Sequence, residues 1–573
     1  MNNSYSLPAS LLATAQRLPY GDRLAKLARD YATCAVTLGF SLLAFFVIKY
    51  LLIGNGASVS INAVMDFSTL PVRAGLLLVL TLAGASIRME TLDEPIRRFL
   101  RVLIPVIVLY VFSAGPDAVA ADTPHAGYIK TIIALSWAAP VIGLVAWWRP
   151  SFLLPLLTLM LWHKQLQVVL SGGYGSSATD YMPLMDALLL TLSAIGILRA
   201  LSVSRFWQQA EAHRNVAGVI SPLMAVFLAM IGIHLSNYFH SGTAKIFLDG
   251  GPLSWLLENR TDFLFHNTWE NGMLPLAASP QLAALVAAIL VPPMYLVINT
   301  LTLFPQLLCP LAAFSRRALI VALLYFDLQH TVIFVLTGIA FWKWVALNTA
   351  CVIALTRWQV QRTPVPVALT MMLLSIFVLY MPTLKFHDWR PDFGRTQLFF
   401  TARLGWYDSP ATNHIYLTAK LEDGRELRVP TNYFLSHSIF LAQQRQSSLV
   451  GNMFPTGTWG TTMSHEDMNL ALKCELPLTS PPESGEKLQN FISFIKAHHA
   501  EILRRAGDDG KLAYNFYPHH IWSNPLLYRE FAALDFRQIH SFRLTFEALC
   551  TGWSEGQRQI KPVSTQSYDI MLP

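Results

Sequence analysis

The chain has 573 residues, of which 53% are hydrophobic and only 13% are charged, and its net charge is +7. Because soluble domains carry about 25% charged residues, this composition excludes a large soluble protein and predicts an integral membrane protein. The positive charges lie mainly beside apolar runs, as membrane topology requires, so no nucleic-acid partner is expected.

The charged residues divide the chain into parts. They are sparse between positions 33 and 381 and frequent from position 385 onward. This contrast predicts a transmembrane domain over residues 32–383, followed by a soluble domain over residues 384–573. Residues 1–31 carry several charges before the first apolar run, which is typical of an amphipathic cytoplasmic leader and not of a cleavable signal peptide.

Apolar runs close to the roughly 20 residues that a helix needs to cross the bilayer recur throughout the transmembrane domain and predict about nine to eleven spans. Arginine and lysine recur on every second connection, which predicts a cytoplasmic N-terminus and an extracytoplasmic C-terminal domain. A bacterial inner membrane with a periplasmic tail is the expected location. Pro140 and Pro292-Pro293 predict kinks. The candidate spans are residues 33–53, 72–86, 99–113, 128–148, 152–170, 184–201, 220–239, 282–303, 318–336, 339–355 and 367–381.

The C-terminal domain is predicted to be mixed α/β and rich in strands. Asp423-Gly424 forms a turn typical of a hairpin between two of the strands. Apolar residues at helical spacing predict a helix over residues 486–506. The predicted strands are residues 396–404, 414–421, 426–429 and 540–550, and a second helix is predicted over residues 433–446.

Cysteine and histidine spacing gives no support for a metal site. None of the five cysteines forms a CxxC pair, and the adjacent histidines His498-His499 and His519-His520 point in different directions. Cys474 and Cys550 both lie in the C-terminal domain. If that domain is extracytoplasmic, they form a disulfide or remain two unrelated thiols.

The most informative polar residues lie where the 220–239 run ends, at His240-Ser241-Gly242 and Lys245. An ionisable group at such depth is costly unless it faces protein or water, so it is a candidate for function. A poorly hydrated lysine can act as a base near neutral pH. The alternative is a lysine that lays its stem in lipid and its ammonium among the headgroups.

Two further polar sets are weaker candidates. Burying Asp327 and His330 at membrane depth would cost free energy. These residues therefore interact with a lysine or a substrate, or they lie in a loop outside the membrane. A looser set surrounds an outer loop and is interpreted as helix caps and structural pairs; it contains His163, Lys164, Asp180 and Asp186. Asn259-Arg260-Thr261 is a glycosylation sequon on the predicted outer side.

The segment YFHSGTAKI, residues 238–246, resembles the corresponding motif of the vitamin K-dependent γ-carboxylase family and its bacterial relatives, the horizontally transferred transmembrane (HTTM) domain proteins. The resemblance implies a multi-span membrane domain with a β-rich extracytoplasmic tail. It also implies that Lys245 acts as the base towards a reduced, vitamin K-like quinone without a metal, assisted by His240 or His330.

The same resemblance implies a set of cofactor-binding residues, which are Tyr238, Phe239, Gly242 and Trp255. Two positions depart from the family. The tryptophan expected soon after the lysine comes late, as Trp255, and the family's second catalytic histidine is matched most nearly by Asp180.

Two functions follow as expectations. The first is a quinol-dependent γ-glutamyl carboxylase that acts on a peptide or protein at the outer face. The second is a non-catalytic HTTM-type membrane subunit that binds a protein partner through its C-terminal domain. A transporter is a weaker third possibility, because the sequence shows no paired inverted repeat.

Overall fold

The computed structural model describes residues 20–53, 67–113, 126–170, 182–202, 220–378, 404–430, 454–456, 460–478, 485–511, 524 and 528–573. Helices make up the first part of the chain, and a β-sheet region follows. The helices of the first part are α1 (Tyr20–Ile53), α2 (Leu70–Ala83), α3 (Glu94–Ser113), α4 (Ala126–Ser136), α5 (Ala139–Trp148), α6 (Leu153–Leu170), α7 (Met182–Ser202), α8 (Pro222–Ile246), α9 (Ser254–Glu258), α10 (Thr261–Glu270), α11 (Pro280–Ile289), α12 (Met294–Leu308), α13 (Arg316–Thr337), α14 (Trp342–Thr356) and α15 (Val365–Phe377).

Within the described ranges, five helical segments are long and apolar enough to cross a membrane, or six if the bent pair α4–α5 counts as one span. Shorter apolar helices occur in addition, including α11 and α15. The five segments are Asp30–Leu52, Pro183–Ser202, Pro222–Ile246, Met294–Phe314 and Arg316–Thr337. The sequence-based prediction of a helical membrane protein with a C-terminal sheet therefore agrees with the fold.

Prolines interrupt two of the predicted spans at the positions where kinks were predicted. The helices α4 and α5 meet at an angle of 55°, next to Pro140. Residues 282–303, predicted as one span, are divided at Pro292-Pro293 into α11 and α12. Proline lacks the backbone N–H that would continue a helix, which explains the break.

Helix α8 forms the centre of the bundle, with 89% of its most apolar window buried. It packs against α1, α7, α12 and α15. Gly232 permits the approach of α15, because a Cβ there would lie 2.7 Å from the carbonyl oxygen of Met371. The Ser375 hydroxyl then donates to the Gly232 carbonyl at 2.8 Å. Small residues allow close helix approach in membranes, where packing stabilises the bundle.

The C-terminal region contains a four-stranded antiparallel sheet in the order β3-β2-β5-β6 and a separate pair of short strands, β1 and β4. Gly424, at a φ of +84°, forms the predicted turn between β2 and β3. Strand β6 was not predicted, because its mostly exposed residues lack an apolar alternation. The strands are β1 (Tyr407–Asp408), β2 (Ala411–Leu421), β3 (Glu426–Arg428), β4 (Thr461–Thr462), β5 (Ile539–Ser554) and β6 (Gln557–Met571).

Helices pack against the strands of this region. They are α16 (His465–Leu472), α17 (Glu486–Arg505) and α18 (Arg529–Ala532). Apolar side chains of α17, among them Leu488, Phe491 and Ile495, share a core with β2 and β5, as the helical spacing predicts. Cys474 and Cys550 are joined by a disulfide, which decides between the two alternatives left open by the sequence. The predicted strand at 396–404, except its last residue, and the helix at 433–446 lie outside the described residues.

Candidate functional site

Lys245 lies in the last turn of α8 and is 6% exposed. Its Nζ donates to the carbonyl oxygen of Ser241 at 3.0 Å and to Oε1 of Gln306 at 3.2 Å. The third and shortest hydrogen bond, 2.6 Å, goes to the carbonyl oxygen of Leu404. An ammonium group has three protons and no lone pair, so three acceptors match the protonated amine. The interpretation of Lys245 as a lysine that extends into the headgroups is therefore wrong.

Gly242 positions one of these acceptors. A Cβ at this residue would lie 3.0 Å from the Cβ of Gln306 and 3.2 Å from Cδ2 of Leu307. The absent side chain thus lets α12 pack closely against α8, and Gln306 then reaches the lysine one turn further along. Gly242 acts through packing in this arrangement.

A short segment of the C-terminal region, residues 404–410, covers the end of α8, and we call it the docking segment. Gly405 faces the backbone of Ala244 so closely that a Cβ would lie 2.7 Å from the Ala244 carbonyl carbon. The backbone N–H of Leu404 donates to the Ser241 hydroxyl at 3.4 Å. The Tyr407 and Ser254 hydroxyls are also hydrogen bonded. Backbone and side-chain contacts therefore join the two regions of the chain.

Trp255 contacts both the lysine and the docking segment. Its ring lies 5.1 Å from Nζ of Lys245, and its Nε1 donates to the Trp406 carbonyl oxygen at 2.9 Å. A cation over an indole face is stabilised by the ring quadrupole. The tryptophan that comes late in the sequence is therefore brought back to the lysine by the short helix α9.

Asn259 and Asp408 form a reciprocal pair behind this contact. Asn259 is fully buried, and its Nδ2 donates to Oδ2 of Asp408 at 3.0 Å. Its Oδ1 accepts from the Asp408 backbone N–H at 2.7 Å. Burial raises the pKa of Asp408 to about 6, while hydrogen bonds from Asn259 and Trp406 and the charge of Lys245 oppose that rise. Because Nδ2 of Asn259 is enclosed, the sequon is not available for glycosylation in this structure.

Some of the other predicted site residues lie apart from Lys245. Tyr238 stacks on Phe326 with ring centroids 3.7 Å apart, and His330 lies 5.8 Å from the Tyr238 ring. These residues form a second group, deeper in the bundle. His240 is buried on α8, with its ring against that of Phe239. Asp180 lies outside the described residues.

Two residues of the set around the predicted outer loop, Asp186 and His163, form structural contacts. Asp186 forms an ion pair of 2.8 Å with Lys49, and both side chains are buried between α7 and α1. His163 is hydrogen bonded to Ser136. These contacts agree with the interpretation as structural pairs.

Sequence reasoning missed Gln306, Leu404 and Asp408. The hydrogen bonds of Leu404 and Gln306 to Lys245 join residues 159 and 61 positions apart. Asn259 was noticed only as part of a sequon. No local pattern marks such residues, since the contact depends on how the C-terminal region docks.

The described part of the chain contains no cluster of three or more histidine, cysteine or acidic residues that could hold a metal ion. The chain matches no family model, no curated protein and no solved structure.

Proposed function

We propose that this chain is an HTTM-type, non-catalytic membrane subunit, in which the membrane domain holds the C-terminal domain ready to bind a protein partner. The observation that supports it is the environment of Lys245. All three of its protons have acceptors, and the shortest hydrogen bond reaches the docking segment. A general base needs a free lone pair within reach of its substrate. This lysine instead ties the two regions together.

The proposal includes an extracytoplasmic C-terminal domain, in the periplasm of a bacterium, and about nine to eleven spans. The alternation of basic connections supports this orientation. The disulfide between Cys474 and Cys550 also supports it, because disulfides persist in oxidising compartments. The proposal counts shorter apolar helices, such as α11 and α15, towards the spans beyond the five long ones.

The proposed surface for the partner is strand β6. In the described sheet this strand pairs with β5 on one side only, and it is 15 residues long. Ile560 and Val563 are exposed on it, at 38% and 36%. An open edge strand offers backbone groups to which an extended segment of another protein can add.

A photo-crosslinking amino acid at Val563, introduced in cells that carry the intact protein, tests this function. The proposal expects a discrete protein adduct in the membrane fraction. A matched probe at Asp423, in the exposed turn between β2 and β3, serves as the control and is expected to give none. Equal labelling from both positions, or no adduct from Val563, contradicts the proposal.

The second candidate is the quinol-dependent carboxylase that the resemblance implies. The aromatic ring of Trp255 over the buried amine of Lys245 favours it. In this alternative Lys245 would act as the base towards a bound quinol, assisted by His240 or His330. The quinol, together with oxygen, would supply the strong base that γ-carboxylation of glutamate requires.

Quinol-dependent oxygen uptake by the purified protein in lipid vesicles tests this alternative without knowledge of the peptide substrate. The carboxylase account predicts uptake that Lys245→Ala abolishes. The subunit account predicts the same background rate for the wild type and the variant.

A further inference from the structure

A buried polar network joins the three helices α8, α13 and α14, away from the docking segment. Asn348 of α14 lies at its centre and is fully buried. Its Nδ2 donates to Oδ1 of Asp327 and to the Tyr238 hydroxyl, each at 2.9 Å. Its Oδ1 lies 2.7 Å from Nε2 of His234. We call Asp327, Asn348, Tyr238 and His234 the Asp327 network.

Asp327 lies near the middle of a helix that is long enough to cross the membrane. Helix α13 has 22 residues, so at 1.5 Å per residue the carboxyl group is roughly 16 Å from either end. The Asp327 side chain is half-buried, and its hydrogen-bond partner Thr349 is exposed. If α13 crosses the bilayer, this carboxyl group is therefore reachable from the hydrocarbon.

The donors to this carboxyl group are all neutral among the residues that the structure describes. Asn348 donates to Oδ1, and the Thr349 hydroxyl donates to Oδ2 at 3.0 Å. An ionised carboxylate without a cation partner is costly inside hydrocarbon. Asp186 provides the contrast, since its carboxylate is paired with Lys49 at 2.8 Å.

His234 supplies a second proton acceptor in the network. Because the Asn348 oxygen can only accept, Nε2 of His234 carries the hydrogen. The other ring nitrogen, Nδ1, is buried and has no hydrogen-bond partner in the described part of the protein. A buried acceptor that is left unsatisfied is destabilising, unless it has a role.

Titratable groups outside the network also face it. Cys351 of α14 interacts with Asp327, and Cys309, which follows α12, interacts with Tyr238. His330, on α13 itself, contacts the Tyr238 ring. None of these is a fixed positive charge that would stabilise an ionised carboxylate.

We propose that the Asp327 network is a proton-binding site within the bilayer. It holds one exchangeable proton, which rests on the carboxyl group of Asp327 and has Nδ1 of His234 as its second acceptor. With the proton on Asp327 every member of the network is neutral, which is the least costly arrangement in hydrocarbon. Transfer to His234 would create an ion pair bridged by Asn348.

Labelling with dicyclohexylcarbodiimide tests the proposal, because this apolar reagent needs a neutral carboxyl group. The full-length protein is reconstituted in phosphatidylcholine vesicles, treated at several pH values and analysed by mass spectrometry of its peptides. We expect an adduct at Asp327 that decreases as the pH rises, and none at the paired Asp186. Equal labelling of the two residues overturns the proposal.

Infrared spectroscopy of the same vesicles gives a second measurement that does not depend on reagent access. A protonated Asp327 gives a carbonyl-stretch band of a neutral carboxyl group, which Asp327→Asn removes. If Asp327→Asn does not fold, Asp327→Glu, which keeps a carboxyl group at this position, is expected to retain the band at a shifted frequency. The absence of such a band from the wild type at every pH overturns the proposal.

Discussion

Nζ of Lys245 donates a hydrogen bond of 2.6 Å to the carbonyl oxygen of Leu404, which lies 159 residues further along the chain. The bond connects the end of the central helix α8 to the first described residue of the C-terminal region. A charged donor makes it stronger than a neutral hydrogen bond. The position of the C-terminal domain and the state of this lysine are therefore coupled.

Close contact between Gly405 and Ala244 predicts that Gly405→Ala weakens docking. The new Cβ would lie 2.7 Å from a backbone carbon of Ala244, which cannot yield as a side chain would. We expect a loss of about 1–3 kcal/mol in the free energy of unfolding, measured by thermal or denaturant unfolding in detergent. The matched control is Gly552→Ala, where a Cβ meets nothing within 4 Å. Equal stability of the two variants would contradict this contact.

Because Lys49 and Asp186 form a buried ion pair, the effects of substituting them on the free energy of unfolding are predicted to be strongly non-additive. Lys49→Met alone leaves a buried carboxylate without its cation, which typically costs about 3–5 kcal/mol. Replacing both partners, as Lys49→Met with Asp186→Leu, is expected to restore most of the stability. The yield of folded protein by size-exclusion chromatography and the unfolding temperature measure this cycle. Additive effects of the two changes would show that the pair is not coupled.

The Cys474–Cys550 disulfide predicts that reduction destabilises the C-terminal domain. It closes a loop with a sequence separation of 76, for which the chain-entropy estimate is about 4 kcal/mol. Differential alkylation with and without reductant is expected to label these two thiols only after reduction. Cys550→Ser is expected to lower the unfolding temperature, whereas Cys34→Ser serves as a control outside the domain. Labelling of both thiols without reductant contradicts the bond.

His266 predicts a loss of stability in acid. Its ring stacks on that of Trp553 at a centroid distance of 6.0 Å, and burial lowers the pKa of His266 to about 4. A lowered histidine pKa contributes stability above the unfolded value of about 6.5, and this is lost as the pH falls towards about 4. His266→Phe preserves the stacking and removes the titration. Between pH values of about 6.5 and about 4, the unfolding temperature of the variant should therefore fall less than that of the wild type. Identical pH profiles would exclude His266 as the cause of the acid instability.

Much of the fold could be predicted because it depends on local patterns. Apolar length predicted the helices, Pro140 and Pro292-Pro293 predicted the breaks, and Asp423-Gly424 predicted the hairpin turn. Strand β6 could not be predicted in this way, because an exposed edge strand needs no apolar face. Its residues pair with β5 across the whole strand only once the domain has formed.

The candidate site was only partly accessible from the sequence. Lys245 stands out because an ionisable residue at the end of an apolar run is unusual. Its partners do not stand out, since Gln306 and the Leu404 carbonyl are ordinary groups brought close by tertiary packing. The resemblance predicted that His330 assists Lys245, but the structure groups His330 with Tyr238, two turns away. Asp327 was identified as a candidate because it is a polar residue at predicted membrane depth. Its hydrogen bond to Asn348 was not predicted.

Hydrogen–deuterium exchange of the docking segment in wild type and Lys245→Met tests the central claim most directly. The Leu404 and Asp408 amides donate to Ser241 and Asn259, so their exchange reports on docking. We predict that Lys245→Met speeds exchange at these amides at least about tenfold, equivalent to ~1.4 kcal/mol. The control Lys420→Met, which removes the ion pair of 2.8 Å between Lys420 and Asp569 in the sheet, is expected to leave the exchange unchanged. Unchanged exchange in Lys245→Met, together with loss of quinol-dependent oxygen uptake, would contradict a structural lysine and identify a catalytic one.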